Sequence, residues 1–88
     1  MSIDDDLLGY LKASTYRLQI LKILHNLNYA TPSDILKQLE VNFPQISRTL
    51  SELEEVELME CTTPDRTKGR IYRITDKGLK ILDNSGVI

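Results

Sequence analysis

The chain has 88 residues, 41% of them hydrophobic and 27% charged, the composition of one soluble globule with a modest core and not of a disordered chain. No apolar run approaches the roughly 20 residues a membrane helix needs, and the acidic opening Asp4-Asp5-Asp6 is unlike a secretory signal. A single cysteine, Cys61, excludes an internal disulfide and leaves too few thiols for a typical zinc site, so the expectation is one cytoplasmic domain over residues 1–88 with no metal, cofactor or membrane partner.

Helix signals fill the first two-thirds. Ser2 or Asp4 is placed to cap a short first helix whose apolar stripe is Leu7, Leu8 and Leu11. Ser14 opens a second helix running to about Leu27. It carries Leu18, Ile20, Leu21, Ile23, Leu24 and Leu27, a stripe wide enough to predict the central, mostly buried helix. Asn28-Tyr29-Ala30 breaks it. Thr31-Pro32-Ser33-Asp34 then starts a third helix, with Thr31 as cap, Pro32 in the first turn and Asp34 reaching back. Ile35, Leu36 and Leu39 face the core. Asn42 caps again within a few residues, with Pro44 and Gln45 behind it. Two capped helices joined so tightly match a helix-turn-helix.

On a wheel of about 100° per residue, Phe43, Ile46, Leu50 and Leu53 define the buried face of the fourth helix. Arg48 lies opposite, flanked by Pro44, Gln45, Ser51, Glu52 and Glu55, with Ser47 at the edge. Glu57 would point into the core if the helix continued, so it is expected to end by about Val56. Glu52 stands four residues from Arg48, within pairing distance.

Residues 59–63 and 70–75 are rich in Thr, Ile and Tyr and read as two strands. Tyr72 and Ile74 share the inward face and Arg73 points away. Residues 64–70 make a polar hairpin tip between the strands. Thr75 caps a last helix holding Leu79 and Leu82, stopped near Gly86. The fold class is mainly α (α+β), in the order α-α-α-α-β-β-α with a two-stranded wing.

The net charge is −2, which alone argues against nucleic acid. Its distribution argues the other way. Residues 1–60 hold five cations against ten carboxylates, a net of −5; residues 61–88 hold six against three, a net of +3. Half of those six cations are Arg66, Lys68 and Arg70, in the hairpin tip. Outward polar residues on one helix are often only a solvated face. Followed directly by a basic hairpin, they point to a polyanion. Arg, Gln and Ser are side chains that reach base edges, which makes Gln45, Ser47, Arg48 and Ser51 the candidates for base contact.

The run from Tyr16 to Leu24 resembles the opening helix of ArsR-like and MarR-like winged-helix regulators. Ile35-Leu36-Lys37-Gln38-Leu39 is similar to their positioning helix, and residues 44–53 to their recognition helix. Residues 68–78 resemble their wing strand with its exit, Tyr72-Arg73-Ile74-Thr75-Asp76-Lys77-Gly78. The resemblance implies a recognition helix, about residues 43–56, in the major groove and a wing, residues 64–70, on backbone or minor groove. Carried over, base contact falls to Gln45, Ser47, Arg48 and Ser51, with Pro44 beside them on the DNA-binding face, phosphate contact to Ser33, and wing contact to Arg66, Lys68 and Arg70. It also implies a homodimer through the terminal helices, residues 1–13 and 76–88, with Leu7, Leu8, Leu11, Leu79 and Leu82 at the seam and Val87 and Ile88 beside it. Two departures stand out: Glu57 where a glycine commonly follows the recognition helix, and no paired thiols like those of metal-sensing members. Cys61 and His25 are read as structural.

The expected function is sequence-specific binding of double-stranded DNA by a transcription regulator. A winged helix used only for protein contact is the alternative, motivated by the acidic first sixty residues and by Glu52, Glu54 and Glu55. No enzyme is expected, because one His and one Cys show no nucleophile–base spacing and no Gly-rich phosphate loop occurs.

Overall fold

The computed structural model describes residues 3–85. Among these, five helices and two strands follow the expected order: α1 (Ile3–Lys12), α2 (Thr15–Leu27), α3 (Pro32–Leu36), α4 (Phe43–Glu55), β1 (Met59–Cys61), β2 (Tyr72–Ile74) and α5 (Asp76–Asn84). The Ser2 cap, the stop at Gly86, and Val87 and Ile88 lie outside the described residues. Asp4 sits inside α1 and is not its cap.

α2 is the central helix. Ile20, Leu21, Ile23 and Leu24 are buried, and α1, α4, α5 and β2 all pack on it. Leu27, expected in the same stripe, is exposed instead. It lies one residue before Asn28, whose positive φ of 68° ends the helix; Asn tolerates that conformation better than most residues. The core also takes Leu11 from α1, Ile35 from α3, Ile46, Leu50 and Leu53 from α4, Tyr72 and Ile74 from β2, and Ile81 and Leu82 from α5.

The two strands pair antiparallel, with Met59 opposite Ile74, Glu60 opposite Arg73 and Cys61 opposite Tyr72. Tyr72 and Ile74 turn inward as the alternation required, and Arg73 turns out to pair with Glu60 at 3.0 Å. The strands are shorter than the composition suggested. Beyond Cys61 the Thr62 N–H still donates to the Ile71 carbonyl, but the Ile71 N–H donates to the Thr63 hydroxyl, so a side chain replaces the next rung. A third contribution comes from Ala30, which exchanges both backbone hydrogen bonds with Tyr72, at 3.0 and 2.8 Å. That bridge ties the loop after α2 to the wing.

The turn after α4 explains how a glutamate serves where glycine is usual. Glu57 donates its N–H to the Glu54 carbonyl and Leu58 donates to the Leu53 carbonyl, the two bonds of a Schellman motif, whose corner residue is left-handed. Glu57 holds φ at 64°. The Thr75 hydroxyl donates to the Glu57 carbonyl at 2.7 Å, the Thr75 N–H to the Leu58 carbonyl, and the Lys77 ammonium to the Val56 carbonyl. The start of α5 therefore clamps the end of α4.

Candidate nucleic-acid interface

Both helices of the helix-turn-helix start on side-chain caps. Thr31 and Asp34 form a reciprocal capping box: the Asp34 N–H donates to the Thr31 hydroxyl at 3.2 Å and the Thr31 N–H to the Asp34 carboxylate at 3.0 Å. That backbone donor holds the Asp34 carboxyl below its ordinary pKa, with the Thr31 side chain assisting. Asn42 accepts from the Gln45 N–H at 2.9 Å and fixes where α4 begins. Ser33 is exposed in the first turn of α3.

The faces of α4 differ from the wheel reading in a definite way. Ile46, Thr49, Leu50 and Leu53 are buried, whereas Phe43 is 52% exposed. Replacing Phe43 by Thr49 turns the centre of the buried face by roughly 30° at 100° per residue. Thr49 is buried without an unpaired hydroxyl because it donates to the Gln45 carbonyl and accepts from the Gln45 side-chain amide. Gln45, expected to project outward, is half-buried and held along the helix by that bond. Pro44, Ser47, Arg48 and Ser51 are exposed.

Glu52 does not pair with Arg48. Its carboxylate binds the Arg17 guanidinium of α2 at 2.8 Å, and Arg17 also donates to the Tyr10 carbonyl and lies 3.8 Å from the Tyr10 ring centre. The acidic charge most adjacent to Arg48 is thereby neutralised from inside the molecule. Among the described residues the Arg48 side chain has no hydrogen bond or ion pair.

In the wing, Arg66 and Lys68 are exposed, and Gly69 supplies the turn with φ at 64°. Arg70 is different. Its guanidinium folds back to donate to the Arg66 and Pro64 carbonyls, at 2.7 and 3.0 Å, so it braces the loop from within. A groove of roughly 440 Å³ between α3, α4 and the wing brings together Ser33, Ser47, Ser51, Lys68 and Arg70, with Phe43 on the same wall. Pro44, Gln45, Arg48 and Arg66 lie outside its lining. Glu54, Glu57, Glu60 and Asp76 line a different groove, which leaves the first one rimmed by hydroxyls and cations.

The expected dimer residues divide. Leu11 and Leu82 are fully enclosed in the chain's own core, while Leu7, Leu8 and Leu79 are half-buried against it; stripes read from periodicity do not say which leucines the monomer itself covers. Among the described residues no three His, Cys, Asp or Glu side chains converge to hold a metal ion, and no helix is long and apolar enough to cross a membrane.

A family profile described as winged helix-turn-helix matches residues 16–87. Solved structures share the architecture. A mutant MarR from E. coli superposes with a TM-score of 0.76 at 23% identity, over 93% of this chain and 64% of that one. A mutant MarR from E. coli complexed with operator DNA gives 0.75 at 20% identity, over 93% and 59%. An apo mutant of Lactococcus lactis ZitR gives 0.69 at 20% identity, over 98% and 71%. At such identities the likeness is one of fold, and the chain spans about three-fifths of the MarR chains' length. No curated protein matches the chain in sequence.

Proposed function

The chain belongs to the winged helix-turn-helix family, and on that premise we propose that it is a sequence-specific double-stranded DNA-binding transcription regulator. The observation that carries the reading is the groove in which Ser33, Ser47, Ser51 and Lys68 converge between the recognition helix and the wing. α4 enters the major groove with Ser47, Arg48 and Ser51 at base edges, the positions helix-turn-helix proteins use. Pro44 and Gln45 stand at the same end of the helix, Gln45 as the brace that keeps Thr49 buried. Ser33 and the wing cations Arg66 and Lys68 meet phosphates, and Arg70 holds the wing in shape to do so. A MarR structure in complex with operator DNA supports this use of the shared fold.

The same reading makes residues 1–88 one DNA-binding domain acting as a homodimer, with Leu7, Leu8 and Leu79 at the seam and paired half-sites in the operator. Selection of bound duplexes from a random pool at stated salt is the test. A common sequence should emerge, and Arg48→Ala should relax one base position by about 1–3 kcal/mol. No measurable duplex affinity at about 50 mM salt would overturn the reading in favour of a protein-binding adaptor.

A further inference from the structure

Phe43 is a large apolar side chain in a place that the fold does not require to be apolar. It opens α4 directly after the Asn42 cap, and it is 52% exposed. Its place in the core has been taken by Thr49, fully buried one face further round the helix. Among the described residues three other large hydrophobic side chains are exposed: Tyr16, Leu27 and Tyr29. Those three line other grooves, Tyr16 beside α3 and the start of α4, Leu27 and Tyr29 beside Arg73 and Ile74 of β2. Phe43 lines the groove between α3, α4 and the wing, beside Ser33, Ser47 and Lys68.

We propose that Phe43 is a specificity-determining residue that packs on the C5-methyl group of a thymine in the major groove. The inference rests on the DNA-binding reading and deepens it. The groove's rim of Lys68, Ser33 and Ser47 calls for an anionic partner, and Glu54, Glu57, Glu60 and Asp76 are gathered in another groove. In a duplex the major-groove edge offers one apolar group, the thymine methyl, and Phe is among the side chains that contact it. Phe43 stands at the N-terminal end of the helix, the end that reaches base edges in this motif. Cytosine presents a bare C–H at the same position, so contact with the ring discriminates T·A from C·G without a hydrogen bond.

The test uses the full chain and a duplex selected from a random pool by the wild-type protein. Each thymine in turn is replaced by deoxyuridine, which keeps the pairing edge and the O4 acceptor and removes only the methyl group. At one position per half-site the wild type should lose about threefold to tenfold in affinity, or ~0.7–1.4 kcal/mol. Phe43→Ala should bind the thymine and uracil duplexes equally, and Phe43→Leu should keep part of the preference. Circular dichroism and the unfolding midpoint of both variants establish that they are folded. The proposal is overturned if no thymine is sensitive in the wild type, or if the sensitivity survives in Phe43→Ala. It is also overturned if Phe43→Ala changes the oligomeric state, because the ring would then be covered by a second copy of the chain. Failure to select any duplex sinks the DNA-binding reading itself, before deoxyuridine enters, and this inference with it.

Discussion

Glu57 sits in a backbone conformation that costs an L-residue roughly 1–2 kcal/mol, and its φ of 64° is held by the Schellman bonds and by Thr75. Glu57→Gly removes that strain and adds about 0.5–1 kcal/mol of unfolded-state entropy cost. The expected net is a gain of about 0.5 kcal/mol, read as a rise of ~2–4 °C in the thermal midpoint; a fall would show that the carboxylate contributes to the fold. Asp34 makes a pH prediction. Its carboxyl is held below the ordinary value of 3.8 by the Thr31 N–H, so the folded state favours the ionised form. The stabilisation is complete above the unfolded pKa and is lost as pH falls through the folded one. Stability of the wild type should therefore decline more steeply below about pH 4 than that of Asp34→Asn, and parallel acid curves would refute the capping-box role. Both caps were legible in the sequence because Thr-Pro-x-Asp and Asn-x-x-Gln are local chemistry. The identity of the buried face of α4 was not. Hydrophobicity ranks Phe43 above Thr49, and the hydrogen bonds to Gln45 that permit Thr49 to be buried are a product of the finished helix.

At the level of elements, order and type followed from local pattern, and lengths did not. β1 and β2 stop short of their Thr- and Ile-rich runs because Thr63 substitutes a hydroxyl for a backbone acceptor. The Ala30–Tyr72 bridge joins residues 42 positions apart in a segment of two residues, too short for any periodicity to reveal. The approach of α5 to the turn after α4 is equally non-local, yet it left a trace in Gly78. A Cβ there would meet the Leu58 carbonyl oxygen at 2.1 Å and Ile74 Cγ1 at 2.7 Å, and the first obstacle is backbone that cannot swing aside. Gly78→Ala should cost about 3 kcal/mol through overpacking, measured by denaturant unfolding. Gly9→Ala is the control, since nothing lies within 4 Å of that Cβ; on an exposed stretch of α1 it should gain about 0.5–1 kcal/mol from helix propensity. Equal effects at the two sites would mean that the α4–α5 clamp is looser than described.

Across the whole molecule, the surplus of negative charge in the first sixty residues and of positive charge after them gives the protein a polarity that a net charge of −2 conceals. The fold pairs Arg17 with Glu52 and Arg73 with Glu60, while Arg66 and Lys68 are left exposed at the wing tip. A polyanion is then attracted at one end and repelled elsewhere, so non-specific affinity should be weak and orientation well defined. Counterion release makes this measurable, since each phosphate neutralised contributes about −0.9 to the slope of log affinity against log salt. Arg66→Ala with Lys68→Ala should reduce the slope by about 2 and weaken all duplexes alike, leaving the ratio of specific to non-specific binding unchanged. Arg70 carries the same charge but spends it on two carbonyls of its own loop. Arg70→Lys keeps the charge and loses the planar fork that spans both acceptors, so it should weaken binding even though the formal charge is constant. A lysine there that bound like wild type, with an undiminished slope, would mean that Arg70 acts on the duplex as charge alone and that the wing needs no internal brace.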